Sequence, residues 1–467
     1  MTLFDLVVVG AGASAHAFLL GLPRDSKRKI LVITPPCETP KFCEAGIRWP
    51  QGASPKLQEP ALRQSAEAWH ANLPGQLQTP QDFTYLGFSG NGGTRFWGTS
   101  IATYSSADIE ALGFNVGEVN SAYSQLSEKI PISGNVRDEL FKRFDQVRPT
   151  DSRFRSSRIG GLDGIYYGGR LVVGSARNAV TNDLCVGCSR CISGCAENAL
   201  WSADVPAVCA ARGDCVILDD WVTAIREAAG TYEITVSGGN SISTARIVLA
   251  VDPISCFALL SAMDRSFDRA ELHHSPVLAW AAIGYNRQPK SPLFGLAHSQ
   301  LYWTENDRIE SFGHLFSGYT LSLSEKSFLN SNPILEAAFK MALPNMLLGN
   351  MYFRSNAHKV ELKRSGTAIS IVPDAFSPPV HMWSVLKDLK SLCSSNRLLF
   401  LSSRMSQPGM DLHYGGGVPA ELAARHPNHT ALENLFVVGG PSIRFLPAQS
   451  PTFTFMATSY SFAKTFG

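Results

Sequence analysis

Asp5-Leu-Val-Val-Val-Gly10-Ala-Gly12-Ala-Ser14-Ala15 decides the fold of this chain. The apolar, β-branched run up to Val9 predicts a strand buried on both faces. Ala15 to Gly21 predicts a helix, and Ile30-Leu-Val-Ile33 a second strand, so the first forty residues read as a βαβ unit. In this unit Gly10 permits the tight turn and Gly12 lets a pyrophosphate approach the backbone. The small side chain of Ala15 lets the helix pack close to the strand. A phosphate placed there meets the helix N-terminus, where free N–H groups and the helix dipole favour negative charge. Ser14 offers an additional hydroxyl donor. The acidic residue expected on the ribose, about 20 residues further on, is absent. Thr34 stands there, with Glu38 shortly after it. This fingerprint alone leaves FAD and a nicotinamide dinucleotide both open.

Length and composition bound the rest. At 467 residues the chain exceeds one ordinary core, so two domains are expected. Hydrophobic content of 45% with a net charge of +2 describes a globular chain without a strong field. Neither nucleic acid nor an anionic membrane is therefore an implied partner. The apolar stretch Ala15 to Leu22 is shorter than the roughly 20 residues that cross a bilayer, so no transmembrane segment is expected. Asp5 and the glycines at 10 and 12 do not fit a signal peptide, which makes a cytoplasmic location the expectation.

Four of the ten cysteines fall together, as Cys185-Val-Gly-Cys188-Ser-Arg-Cys191-Ile-Ser-Gly-Cys195. In a reducing compartment such a cluster points to a metal site in preference to a disulfide framework. The C-x2-C-x2-C-x3-C spacing resembles a bacterial iron–sulfur loop and suits a [4Fe–4S] cluster. It is too compact for the usual paired zinc knuckles. Ala196 follows in place of the proline of ferredoxin loops, so Cys209 or Cys215 is an alternative fourth ligand. Reduced cysteines that merely shape a glycine-rich loop are the structural alternative.

Further along, Gly90 to Ser100 is a glycine-dense loop, and residues 107–146 look helical. From about 275 to 410 aromatic and β-branched residues interleave with polar ones, predicting an antiparallel sheet with one exposed face. Asn434-Leu-Phe-Val-Val438 returns to the style of the first strand and precedes Gly439-Gly440 and a terminal helix.

Three of these segments carry a family resemblance. Gly92-Gly93-Thr94-Arg-Phe-Trp97-Gly98 resembles the second flavin signature of the glucose–methanol–choline oxidoreductases. Val248-Leu-Ala-Val-Asp252-Pro-Ile-Ser resembles the family's adenine-side return. The run from Asn434 through Gly439-Gly440 to Ser450-Pro451-Thr452 is similar to its terminal motif, with His413-Tyr-Gly-Gly-Gly in place before it. The resemblance implies an α/β FAD-binding, Rossmann-like domain with an inserted α+β substrate domain built on an antiparallel sheet. Residues 1–255 with 411–467 would form the first, holding the cysteine loop, and 256–410 the second. FAD would be bound by Gly10, Gly12, Ser14, Ala15, Thr34, Gly92, Gly93, Thr94, Trp97, Gly98, Gly439, Gly440 and Thr452, with Val222 at the adenine. Three positions depart from the family pattern: Gly439 replaces an acid or amide, Asp252 a glycine, and Ser450 the second catalytic His or Asn.

The implied activity is oxidation of a hydroxyl group on a small molecule, a sugar or another polar metabolite. His413 is the candidate base, because a neutral imidazole accepts a proton near neutral pH. Ser450 is a candidate to hydrogen-bond the substrate oxygen or to orient His413. With Cys185, Cys188, Cys191 and Cys195 on a cluster, electrons would leave singly to a redox protein or quinone. The alternatives are an oxygen-using oxidase without metal and a flavoprotein that only relays electrons. His273, His274, His298, His314 and His381 offer no basis for choosing a further substrate ligand.

Overall fold

The computed structural model describes residues 3–25, 27–36, 60–81, 83, 85–90, 92–95, 97, 100–131, 156–159, 162–167, 171–175, 201–284, 299–306, 308–317, 341–342, 345–355, 358–374, 377–410 and 412–466. The cysteine loop 185–195, Glu38 and Gly98 lie outside the described residues.

A parallel sheet of five strands forms around the opening motif. Its order is Leu435–Val437, Ile247–Leu249, Leu6–Val9, Ile30–Thr34 and Cys215–Asp219. The three central strands are buried along their whole length, which is why their sequences are unbroken apolar runs. The helix Ala13–Gly21 follows the first strand and packs against the terminal helix Thr452–Ala463. Gly21 sits so close to it that a Cβ there would lie 2.4 Å from the carbonyl oxygen of Tyr460. Ala15, fully buried, joins the core beneath this helix with Phe18, Val32, Val248 and Phe462. A smaller sheet pairs Leu3–Phe4, Ser241–Thr244, Thr231–Val236 and Val222–Ala228.

The second large element is an antiparallel sheet of eight strands, in the order Leu398–Met405, Val277–Gly284, Met346–Phe353, Arg308–Ser317, Ser299–Glu305, Leu171–Ser175, Leu162–Tyr167 and Ser156–Ile159. The helix Met382–Ser395 covers one face, burying Val385, Leu389 and Leu392 against Leu278, Trp280, Leu315 and Trp303. Five of these strands fall between 275 and 410, as the interleaved composition predicts. The three from 156–175 belong to the same sheet, although they fall within the 1–255 range expected to form the first domain.

A mixed sheet of five strands joins the halves: Tyr414–Pro419, Arg269–His274, Lys359–Ser365, Ala368–Pro373 and Gln76–Gln78. Pairing Tyr414–Pro419 with Arg269–His274 fixes the segment that carries His413. Among the described residues no helix is long and apolar enough to cross a membrane.

Candidate active site

One cavity of about 520 Å³ runs from the opening glycine motif to the eight-stranded sheet. Its size falls in the range of cofactor and ligand sites. At one end are Gly10, Gly12 and Ser14, with Gly92, Gly93, Thr94 and Trp97 beside them. Gly10 has a φ of +110°, and a Cβ on it would meet the carbonyl oxygen of Ala250 at 2.4 Å, so the turn excludes any larger residue. At Gly12 a Cβ would meet nothing within 4 Å, leaving the backbone open to the cavity. Gly12 is also the N-cap of the helix Ala13–Gly21, with no side-chain cap and no acidic residue in the first turn. An uncapped helix N-terminus of this kind suits a pyrophosphate. The cradle therefore fits the dinucleotide that the fingerprint predicts.

The remaining fingerprint residues divide. Thr94 is buried and accepts a hydrogen bond from the Ala203 N–H (3.1 Å). Trp97 donates from its indole to the Trp201 carbonyl (3.0 Å) and presents its ring to the cavity. Gly440, Ser450 and Thr452 also line the wall. Gly439 lies behind it at φ +77°, where a Cβ would strike the Ser14 hydroxyl at 2.3 Å; no acid or amide side chain fits there. Ala15 is a packing residue. Thr34 is buried and donates to the Pro35 carbonyl (3.3 Å), while its neighbours Ile33 and Pro35 face the cavity.

An acid does reach this end, from the neighbouring strand. Asp220 follows Cys215–Asp219, donates its N–H to the Thr34 carbonyl (3.0 Å), and lines the cavity with Trp221 and Val222. Partial desolvation pushes its pKa up, but hydrogen bonds from the Ser237 hydroxyl and the backbone N–H groups of Trp221 and Gly238 outweigh it and hold the carboxyl below its usual value. Asp220 was not singled out in the sequence, because an Asp at a strand end looks like any turn carboxylate.

Asp252, another departure from the family pattern, caps the helix Pro253–Met263 through the N–H groups of Ile254 (3.1 Å) and Ser255 (3.0 Å). It also accepts from the Trp69 indole (2.9 Å) and the Tyr85 hydroxyl (2.7 Å). Tyr85 stacks on Tyr414, with ring centroids 4.2 Å apart.

At the opposite end lie His413 and Ser450, together with Ser100, His314, Asn350 and Tyr352. Burial, and then the nearby His314 imidazole, push the His413 pKa down to about 4. Burial also takes His314 to about 4, against a hydrogen bond with Asn350 that pulls upward. Both rings are therefore neutral at pH 7. The Tyr352 ring lies 5.3 Å from His413. Adjacent strands bring His314 opposite Asn350 and Phe312 opposite Tyr352. The His314 Nε2 lies 2.8 Å from the Ser100 hydroxyl. Ser450 donates to the Ser100 carbonyl at 2.8 Å. The sequence assembled His413 and Ser450 but missed Asn350 and Tyr352, and it could not single out His314.

Cys209 and Cys215 are joined to each other as a disulfide. Among the described residues no group of three or more His, Cys, Asp or Glu side chains is arranged to hold a metal. Cys185, Cys188, Cys191 and Cys195 are not among those residues.

A glycine cradle on a parallel sheet faces an antiparallel sheet across one cavity, so the α/β fold has two parts. Over 99% of its length the chain is similar to the crystal structure of pyridoxine 4-oxidase from Mesorbium loti, covering 98% of that chain with a TM-score of 0.59. Sequence identity is 13%, so the likeness is one of fold. No family model matches the sequence, and no curated protein matches it.

Proposed function

We propose that this chain binds FAD and oxidises a hydroxyl group of a small molecule. The observation that carries the reading is a single cavity with the Gly10–Ser14 cradle at one end and His413 at the other. Bound FAD would supply the hydride acceptor. Gly10, Gly12, Ser14, Gly92 and Gly93 would hold its phosphates and flank its ring. Val222 and Asp220 would face the adenosine end, with Asp220 taking the ribose role. His413, neutral and shielded from bulk water, would accept the hydroxyl proton as the carbinol C–H electron pair leaves with its hydrogen and a carbonyl forms. A neutral acceptor in place needs no prior deprotonation at pH 7.

The test is anaerobic mixing of the FAD-loaded protein with pyridoxine, benzyl alcohol and glucose, following flavin bleaching. His413→Ala is expected to keep its flavin and lose about 10²–10⁴ in bleaching rate, the usual contribution of a positioned base. Unchanged bleaching in that variant would remove His413 from the chemistry.

Oxygen as the final acceptor is the second reading, supported by the structural neighbour being an oxidase. Rapid reoxidation of the bleached flavin by air favours it. A [4Fe–4S] cluster on Cys185, Cys188, Cys191 and Cys195, passing electrons to a redox protein or quinone, rests on spacing. Iron in the wild type that is lost in Cys188→Ser supports it, and iron-free wild type dismisses it.

A further inference from the structure

We propose that Tyr352 is a further catalytic residue, donating its hydroxyl proton to the substrate oxygen whose own proton passes to His413. This rests on the hydroxyl-oxidation reading and adds to it the group that orients the substrate.

The direction of each hydrogen bond leads to this role. The backbone N–H of His314 donates to the side-chain oxygen of Asn350 at 2.9 Å, which fixes that amide's orientation. The His314 Nδ1 lies 3.3 Å from the same oxygen. An amide oxygen only accepts, so Nδ1 carries the imidazole proton. In the neutral ring Nε2 is then a lone pair, and it accepts from the Ser100 hydroxyl at 2.8 Å. With its oxygen held this way, Asn350 presents its NH₂ group to the Tyr352 hydroxyl at 3.1 Å. The Tyr352 oxygen therefore accepts from Asn350, and its proton is turned away from that amide.

Position supplies the rest. Tyr352 lines the cavity, its ring 5.3 Å from that of His413. Ser450, on the same wall, gives its proton to the Ser100 carbonyl and so donates nothing into the cavity. An alcohol oxygen between His413 and Tyr352 would give one hydrogen bond and receive one. Asn350 and His314 are positioning residues in this scheme: they act by setting the direction of the tyrosine O–H.

The experiment is the anaerobic flavin-bleaching assay on FAD-loaded wild type, Tyr352→Phe and His413→Ala, with pyridoxine, benzyl alcohol and glucose, at pH values from 5 to 9. Removing one oriented donor from a reacting oxygen costs about 100-fold in rate. Tyr352→Phe is expected to keep its flavin and its Tm within a few degrees, and to lose about 100-fold in limiting bleaching rate. The shape of its pH profile is expected to match the wild type, because the base is intact. Wild-type bleaching rates in Tyr352→Phe would overturn the role of Tyr352 and leave His413 standing. Failure of the wild type to bleach with every alcohol would overturn the hydroxyl-oxidation reading and this proposal with it.

Discussion

Ser450 donates its hydroxyl proton to the carbonyl oxygen of Ser100, 2.8 Å away. Ser100 in turn faces the His314 Nε2 through its own hydroxyl. One residue thus ties the C-terminal segment to the eight-stranded sheet. Ser450 is 4% exposed, so the bond is sealed from water.

That bond assigns Ser450 to the wall of the site. Ser450→Ala leaves a buried carbonyl without its donor, which costs about 1–3 kcal/mol. The expected outcome is a lower urea midpoint with a flavin-bleaching rate within about tenfold of wild type. A loss equal to that of His413→Ala would place Ser450 among the reacting groups.

Asp252 holds five donors at the edge of the cavity: two N–H groups and the Ser255 hydroxyl from the helix it caps, and the buried Trp69 and Tyr85 side chains. Asp252→Ala removes the cap and strands the Tyr85 hydroxyl, whereas the Trp69 indole keeps the Ser255 hydroxyl as an acceptor at 2.9 Å. Summing a lost cap and one orphaned aromatic hydroxyl gives about 2 kcal/mol or more of destabilisation. Denaturant unfolding measures it. A change below about 1 kcal/mol would show that water replaces the carboxylate, and that Asp252 is not a structural hub.

Burial sets four histidines far below their ordinary value: His413, His314 and His273 at about 4, and His274 at about 3 with His358 and His273 adding to the effect. In the unfolded chain each binds a proton below about pH 6.5. In the folded chain each resists until about pH 4. Between those values the unfolded state holds more protons, so stability must fall as pH falls. The Tm is expected to be level above pH 7 and to drop steadily from pH 6.5 towards 4. A Tm that stays constant from pH 7 to pH 5 would mean that these rings are already protonated or wet in the fold.

Some of this architecture is written locally in the chain. Leu6–Val9 and Ile30–Thr34 are buried on both faces, so their sequences are uninterrupted and legible. Gly10 is legible for a second reason: no other residue fits its φ and its contact with Ala250. His413 could be found because a run of glycines follows it.

The sheet side of the site is different. His314, Asn350 and Tyr352 stand on strands whose alternation resembles any half-exposed sheet. They meet only through the register that sets His314 opposite Asn350, 36 residues away in the chain. Asp220 is hidden in the same way, because its closeness to Thr34 depends on pairing between strands far apart in sequence. Strands 156–175 are short and carry glycines and polar residues, so their periodicity is weak, and their partner strand Ser299–Glu305 lies more than a hundred residues on.

The central claim is that the glycine cradle and His413 serve one bound flavin. Its most direct test is the visible spectrum of the purified protein after incubation with FAD and gel filtration. Retention of about one FAD per chain, with bands in the blue that bleach anaerobically on adding an alcohol, is the predicted result. A folded protein that emerges colourless from the column would contradict it.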